Sequence, residues 1–191
     1  MANKIKYGIK NCYYAVATLA ANGSATYSTP VALPGAVSLS MEQQGDQNTF
    51  YADNIAYFVS QANNGYQGDL ELALIPDAFR KDVLNEYETN DGKVLLEELD
   101  TEAIHFALLF QFEGDVHGTR YCLYNCVASR SAISSTTKAE SIEPQTESIQ
   151  ITATSVYNAS LDKDIVRAKT GESTTTSVYN GWFSSVFAAS T

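Results

Sequence analysis

The sequence is poor in basic residues and proline, and each shortage excludes a class of protein. Twelve Lys and Arg residues stand against 22 Asp and Glu residues, a formal net charge of −10. Tight nucleic-acid binding requires basic side chains that neutralise phosphates, so this balance argues against it. Four prolines in 191 residues argue against a long disordered linker. The length suits one domain with a substantial core, and we predict a single domain over residues 1–191.

Long apolar segments are also missing. No run approaches the roughly 20 consecutive apolar residues that cross a bilayer, which argues against a membrane-spanning protein. The first ten residues carry Lys4, Lys6 and Lys10 but no apolar core, so we expect no secretory signal. The protein is therefore expected to be made and kept in a cytosol until it is assembled.

Cysteine and histidine are too few and too scattered for a metal centre or a catalytic group. Cys122 and Cys126 lie roughly 13 Å apart by strand rise, too far for a disulfide, and with Cys12 they are predicted to be free, buried thiols. The sequence contains no Cys-x-x-Cys, His-Glu-x-x-His, Gly-x-Ser-x-Gly or Gly-rich phosphate-binding motif. His105 and His117 are each expected to be structural. We therefore predict no enzyme activity, no metal and no cofactor.

What the sequence does contain is a period-two alternation of apolar and polar residues, which is typical of half-buried antiparallel strands. It runs through residues 36–42, 69–75 and 148–154. The apolar positions are Val37, Leu39, Met41, Leu70, Leu72, Leu74, Ile149, Ile151 and Ala153. The opposite positions are the polar residues Ser38, Ser40, Glu42, Asp69, Glu71, Gln150 and Thr152. In a fourth run, Tyr121, Leu123, Asn125 and Val127 are expected to share one face.

Helix and hairpin signals separate these strands. Pro76 is expected to open one helix that ends at Asn90-Asp91-Gly92. The apolar stripe of this helix is Phe79, Val83, Leu84 and Tyr87. The strongly apolar run Ile104–Phe112 predicts a strand, and Gly118–Ala128 predicts its hairpin partner.

Two further segments carry weaker signals. The polar stretch Gln43–Asn48 predicts a loop, and Phe50–Val59 predicts a strand interrupted at Asp53-Asn54. The pentapeptide at Thr154–Asn158 recurs at Thr176–Asn180, which favours two similar edge strands.

The negative charge is concentrated in one segment. Residues 82–115 contain ten acidic residues and one lysine, whereas residues 116–191 contain six of each sign. A solvated surface is the simplest interpretation of the acidic segment. Repulsion of nucleic acid is the alternative, because phosphates are repelled by a field of carboxylates.

Six sequence runs stand in a specific order between residues 7 and 155. They are YGIKNCYYA (7–15), TYSTPVALPGAVSLSME (26–42), YADN (51–54), GDLELALIPDAFRKDVL (68–84), ALLFQFEGDVHGTRYCLYNCVAS (107–129) and KAESIEPQTESIQITATS (138–155). In this order they resemble the major tail protein, or tail tube protein, of long-tailed bacteriophages with flexible, non-contractile tails. Residues 158–191 depart more from the family pattern and are expected to form a variable C-terminal segment.

The resemblance implies a mainly β protein, an antiparallel β-sandwich with one packed α-helix. It implies that six copies form a ring, that rings stack into a tube, and that one sheet of each copy joins a ring-wide inner β-barrel. The genome would leave the capsid through this tube. The protein would be part of the virion tail, made in the host cytoplasm, with no membrane partner. Its other partners would be the tape measure protein, the tail terminator and the distal tail protein, with DNA passing through but not bound tightly.

The resemblance also implies an extended loop that reaches a neighbouring subunit or ring, here within residues 42–57. The residues expected to form this contact are Glu42, Gln44, Gly45, Asp46, Gln47, Asn48, Tyr51, Asp53 and Asn54. We expect the loop to be mobile in the free chain, because Gly45-Asp46-Gln47-Asn48 contains no apolar anchor. The seven polar strand positions given above are the candidates to face the lumen.

Two other readings of the sequence stay open. A β-sandwich binding module, such as a host-surface or carbohydrate adhesin, would use exposed aromatic residues, and the chain has 12 tyrosines. The tube of a contractile secretion system is separated from the tail tube only by the family resemblance.

Overall fold

The computed structural model describes residues 5–114, 116–137 and 144–189. These residues form a mainly β, antiparallel fold with two short helices. The strands, in chain order, are β1 (Tyr7–Leu19), β2 (Ala25–Tyr27), β3 (Val31–Ala32), β4 (Ala36–Gln43), β5 (Gln47–Ala52), β6 (Ile55–Gln61), β7 (Tyr66–Leu72), β8 (Tyr87–Glu88), β9 (Leu95–Leu96), β10 (Phe106–Glu113), β11 (Arg120–Ala128), β12 (Glu147–Thr154), β13 (Val156–Asn158), β14 (Lys163–Ile165) and β15 (Arg167–Lys169). The helices are α1 (Asp77–Asp82) and α2 (Thr176–Gly181).

One large sheet organises the fold. Its strand order is β2-β1-β10-β11-β12-β7-β4, with β3 beside β1 and β15 beside β11. The predicted hairpin of the two apolar runs is confirmed, since β10 pairs with β11 in antiparallel register. The sheet folds over so that β4 contacts β1, and the mainly β sandwich expected from the sequence is confirmed.

The first core lies inside the folded sheet. The apolar sides of the predicted alternating strands meet there, and α1 closes the core through Phe79 and Val83. Phe79 stacks edge-on against Tyr14 and Phe106, with ring centroids 5.1 and 5.7 Å apart. The fully buried side chains of this core include Leu70, Leu72, Phe106, Leu108, Ile149 and Ile151.

A second core lies on the other side of β1, β10 and β11. Ala107, Leu109 and Cys122 are completely buried there beneath the C-terminal segment. Trp182 of that segment is 3% exposed and stacks on Phe187. Strand β10 is therefore buried on both faces, which explains why its sequence is apolar almost without interruption.

The prediction that Tyr121, Leu123, Asn125 and Val127 share one face of β11 is wrong, because this strand contains a β-bulge. Between the pairs Phe106↔Cys126 and Leu108↔Leu123, β10 advances by two residues and β11 by three. The extra residue reverses the alternation, so Cys126 shares the first core with Leu123. Asn125 therefore does not lie on the side of Leu123, and its side chain instead meets Nδ1 of His105 at 2.7 Å.

The predicted helix is shorter than expected. It ends at Asp82. Asn85 then adopts a φ of +57°, which turns the chain away from the helix. Tyr87 therefore lies in β8 and is 51% exposed instead of packing on the core. The expectation of one helix is also wrong, because α2 is a second one.

The repeated pentapeptide adopts two different structures. The first copy includes β13, which pairs with β14, as an edge strand should. The second copy forms α2, so the prediction of a second edge strand is wrong. Contacts beyond the pentapeptide decide the outcome: Arg120 lies over the Tyr179 ring and donates to its backbone oxygen, and the Tyr179 hydroxyl donates to Gly118.

Two apolar positions of the alternating strands point to solvent. Val37 is 50% exposed because a register shift between Ala36 and Ser38 places Ala36, not Val37, against the first core. Leu74 is 68% exposed because β7 ends at Leu72.

Candidate functional site

A continuous polar face covers three neighbouring strands, β4, β7 and β12. Their registers align the residues in three rows across the sheet. The rows are Ser38–Glu71–Ser148, Ser40–Asp69–Gln150 and Glu42–Gln67–Thr152. The structure thus brings all seven polar strand positions of the sequence prediction onto one face. Gln67 and Ser148, which the prediction omitted, complete the rows and could have been found by extending the same alternation.

The charge of this face is entirely negative. Glu42, Asp69 and Glu71 are its ionisable side chains, and β4, β7 and β12 contain no Lys or Arg. The Glu71 carboxylate accepts hydrogen bonds from Thr146 Oγ1 at 2.5 Å and from Ser38 Oγ at 2.8 Å. These bonds hold the pKa of Glu71 below its usual value. Glu71 therefore keeps its negative charge more readily than an ordinary glutamate as the pH falls.

Strand β4 forms one edge of the large sheet. β7 pairs with one side of it, and among the described residues no strand pairs with its other side along Ser38–Gln43. Unpaired edge strands are avoided in soluble proteins because they template pairing with another chain. The polar face therefore ends at an edge that can accept a further strand.

The segment predicted as a loop is largely a β-hairpin. β5 and β6 pair with each other, and Asp53 and Asn54 form the two-residue turn with φ values of +50° and +60°. Only residues 44–46 lie outside a strand between β4 and β5, so the prediction of a loop over Gln43–Asn48 is wrong. The prediction of a strand over Phe50–Val59 that is interrupted at Asp53-Asn54 is confirmed. The sequence analysis missed that the two parts pair with each other and that β5 begins at Gln47, because neither face of these strands is buried in the chain. The Asp-Asn pair suits the turn, since both residues tolerate positive φ.

The hairpin continues the β4–β7 pair as a ribbon. At the junction, Gln44 donates its backbone N–H to Gly65 and accepts one from Asn64, both at 2.9 Å. Gly65, with a φ of +97°, has no room for a side chain, because a Cβ there would lie 2.0 Å from the Ala153 oxygen. The base of the hairpin is thus fixed to the sheet, while its tip projects.

The hairpin exposes large apolar side chains on both faces. Phe50, Tyr51, Ile55, Tyr57, Phe58 and Val59 are between 51% and 72% exposed. The ribbon therefore does not pack against the rest of its own chain. A contiguous apolar surface of this kind on a soluble protein indicates contact with another molecule.

The residues of the predicted contact segment occupy four parts of the structure: the end of β4, the junction, β5 and the turn. Glu42 lies at the end of β4, on the polar face. Gln44, Gly45 and Asp46 form the junction, Gln47, Asn48 and Tyr51 lie in β5, and Asp53 and Asn54 form the turn. The sequence prediction missed Phe50, Ile55 and Phe58, which carry much of the exposed apolar surface.

Other features of the described residues are structural. The three cysteines are buried and free, as predicted, and burial raises the pKa of Cys12 and of Cys126 to about 12. Within the described residues, no group of His, Cys, Asp and Glu side chains is arranged to hold a metal ion. Neither helix found in this part of the chain is long and apolar enough to cross a membrane.

The chain is a mainly β protein with two surfaces, the exposed hairpin and the unpaired sheet edge, that are suited to contact with other chains. The family model described as "Phage tail tube protein" matches residues 2–176. The chain therefore belongs to the phage tail tube protein family and is a structural component of the virion tail. This family consists of structural proteins, not enzymes.

Solved structures show weaker likenesses. A chain of the anti-feeding prophage (AFP) baseplate, solved by cryo-electron microscopy with 6-fold symmetrisation, has a TM-score of 0.43 at 10% identity and covers 88% of this chain and 98% of its own. A chain of an extracellular contractile injection system, the PVC sheath/tube terminator in the extended state, has a TM-score of 0.41 at 10% identity, covering 87% and 99%. These scores are too low to carry a functional argument. No curated protein matches the sequence.

Proposed function

We propose that six copies of the protein close into a ring and that stacked rings form the tube of a non-contractile phage tail, through which the genome leaves the capsid. The observation that carries this proposal is the acidic, cation-free face of β4, β7 and β12. Membership of the tail tube family supports assembly into a tube, and this face is suited to line the lumen of that tube. The other partners are then the tape measure protein, the tail terminator and the distal tail protein, and assembly takes place in the host cytoplasm.

The chemistry of the face suits a channel for DNA. Each Lys or Arg that contacts a phosphate adds a salt-dependent attraction, which slows a strand that has to slide. Three carboxylates per copy, with short hydroxyls and amides between them, repel phosphates and stay hydrated. DNA therefore passes along this wall with weak contacts.

The open edge of β4 suits ring closure. In a ring, each copy can pair this edge with the neighbouring copy, and the joined sheets become one inner β-barrel. Closure removes the exposed edge, which is the usual solution for a sheet protein. The hairpin of β5 and β6 then makes contact with an adjacent copy, so that its apolar side chains leave water.

Electron cryo-microscopy of tubes assembled from the purified protein tests this proposal. We expect stacked six-membered rings with Ser40, Asp69 and Gln150 facing the channel. A protein that stays monomeric at high concentration with tail initiator proteins present would overturn the proposal. So would a lumen lined mainly by Lys and Arg.

Charge reversal on the polar face is the genetic test. With Asp69→Lys we expect tubes of normal length but impaired genome delivery, because each ring gains six cations in the lumen. Asp100→Lys, an exposed acid outside this face, is the matched control and should deliver normally. Failure of Asp69→Lys to assemble would place Asp69 in a joint between subunits instead.

The adhesin reading receives less support from the structure. It requires exposed aromatic residues on the sandwich, whereas Tyr124 is 3% exposed and Tyr121 packs against the first core. Four exposed aromatic residues, Phe50, Tyr51, Tyr57 and Phe58, lie instead on the hairpin, where a subunit contact accounts for them. Tyr7 and Tyr87 are also exposed, but they lie apart from the hairpin in β1 and β8.

A further inference from the structure

An amphipathic cleft opens at the base of the hairpin, between β4 and the paired strands β10 and β11. It measures about 200 Å³ and is lined mainly by apolar and aromatic side chains. The apolar lining consists of Leu39, Met41, Tyr66, Phe110, Phe112, Tyr121 and Leu123. Two cations, Lys6 and Arg167, stand among them, and no carboxylate lines the cleft.

Both cations of the cleft lie over aromatic rings. Lys6 Nζ lies 4.8 Å from the centroid of the Phe112 ring, and the Arg167 guanidinium lies 5.3 Å from that of Tyr66. Neither forms an ion pair within the described residues, which is also true of Arg120, Lys163 and Lys169, whereas Lys10, Arg80, Lys81, Lys93 and Arg130 are paired. The cleft therefore offers two exposed cations above an aromatic floor, which suits a group that carries both a carboxylate and apolar side chains.

The tip of the hairpin is such a group. Asp53 occupies the turn, and Tyr51, Ile55 and Tyr57 beside it are 67%, 62% and 72% exposed. The paired strands β5 and β6 close this two-residue turn and present the carboxylate at the end of the ribbon.

A chain cannot place this tip in its own cleft. The cleft is lined by Tyr66 and Met41 at the base of the ribbon, whereas the seven residues of β6 carry the tip roughly 20 Å away from that base. The exposure of the hairpin on both faces also excludes folding back. Donor and acceptor are thus separated on one copy and can meet only between two copies.

We propose that the hairpin tip of one copy docks in the cleft of another copy, with Asp53 between Lys6 and Arg167. This inference rests on the proposed assembly into a tube and names the acceptor for the hairpin. A contact between two different surfaces is head-to-tail, and it generates a ring or a helical stack instead of a closed dimer. Each copy then contributes its tip to one neighbour and its cleft to another. An open assembly keeps one free tip and one free cleft, so further copies can be added.

A charge swap tests the pairing. Asp53→Lys and Arg167→Glu should each raise the protein concentration needed for tube assembly about tenfold or more, because each places like charges together. The double variant should restore assembly, since the pair re-forms with reversed sign. Lysine is accommodated in the conformation of Asp53, because Lys93 already adopts a φ of +55°. Asp100→Lys, an exposed acid outside the hairpin and the cleft, and Lys163→Glu, an exposed cation outside the cleft, are the matched controls and should assemble within about twofold of the parent chain.

A cross-link tests the contact without requiring tubes. One chain carries Asn54→Cys at the tip and a second carries Leu39→Cys in the cleft, while the three native thiols stay buried. Mixing them under oxidation should give the mixed dimer, and adding Asp53→Lys to the first chain should abolish it. Cross-links without tubes would support the docking and contradict the tube. Tubes that tolerate both single reversals, or single defects that the double variant does not repair, would overturn the docking and leave the tube proposal intact.

Discussion

The Arg80 guanidinium of α1 lies 3.2 Å from the Glu147 carboxylate at the start of β12. The same carboxylate accepts the Ile75 backbone N–H at 2.7 Å. A single side chain of the sheet thus fixes both the helix and the segment that leads into it. This connection holds α1 over the first core on the side opposite the polar face.

We expect Glu147→Ala to lower the free energy of unfolding by about 1–2 kcal/mol, because it removes a charged pair that is less than one third exposed and leaves the Ile75 amide without its acceptor. Urea denaturation of the unassembled protein measures the change. Glu113→Ala is the control, since the Lys10–Glu113 pair is 42% and 46% exposed and should contribute less than about 1 kcal/mol. Equal effects of the two substitutions would contradict the role assigned to Glu147.

Gly68→Ala should destabilise the sheet under the polar face. A Cβ at Gly68 would lie 1.8 Å from the Ser40 oxygen, so β4 would have to move away from β7. We expect a loss of about 2–4 kcal/mol in the free energy of unfolding, or failure to fold. Gly171→Ala, where nothing lies within 4 Å, should change it by less than about 0.5 kcal/mol. A neutral Gly68→Ala would show that the two strands are not held this closely.

The three thiols should be inert in the folded protein. Cys12 is 5% exposed, Cys122 and Cys126 are completely buried, and burial raises the pKa of all three. A thiol reagent at pH 8 should label none of them within the time in which it labels three in denaturant. Rapid labelling of the folded chain at any of the three would contradict their position in the cores.

Alkaline solution should destabilise the fold for the same reason. The ordinary thiol pKa is 9.0, and the pKa of Cys12 and of Cys126 is raised to about 12 in the folded chain. Above pH 9 the unfolded chain loses these protons while the folded chain retains them, so stability is full below pH 9 and is lost as the pH rises toward 12. Cys12→Ala should reduce the slope of unfolding free energy against pH between these values. An unchanged slope would show that Cys12 does not contribute to it.

Phe50→Ser should separate folding from assembly. Phe50 is 60% exposed on the hairpin, so its loss should change the unfolding free energy of the single chain by less than about 0.5 kcal/mol. Tube assembly should nevertheless fail or require much higher protein concentration, because an apolar contact between copies is lost. Leu99→Ser, at an apolar residue that is 88% exposed and lies outside both the hairpin and β4, provides the comparison. If the hairpin makes no contact with another copy, the two variants should assemble equally well.

Period-two alternation predicted the polar face almost completely, because burial of one face forces the pattern on β7 and β12. It failed where an irregularity in strand pairing, and not burial, determines which side of the sheet a residue faces. The bulge in β11 reverses the face of Asn125, and the register shift in β4 turns Val37 outward. Neither the bulge nor the register shift can be recognised from the hydrophobic pattern of the sequence.

The hairpin was only partly predicted, for a different reason. Phe50 and Phe58 face each other across β5 and β6, but nothing in the same chain covers them. Periodicity records burial within one chain, so it did not reveal the full length of β5 or its pairing with β6. The helix of the Thr176–Asn180 pentapeptide was missed because it depends on Arg120, some 60 residues away in sequence, which a local pattern does not record.

The pairing of β1 with β10 determines the order in which this chain can fold during synthesis. Tyr14 pairs with Leu108, so the first long strand leaves the ribosome about 90 residues before its main partner. The β4–β7 ribbon can form early from neighbouring residues, but β12, which completes its sheet, comes last of the three. Such distant pairings make folding slow, because long loops must close before contacts form. The nascent chain therefore passes through a period in which apolar strands are exposed, and chaperones have that interval in which to bind them.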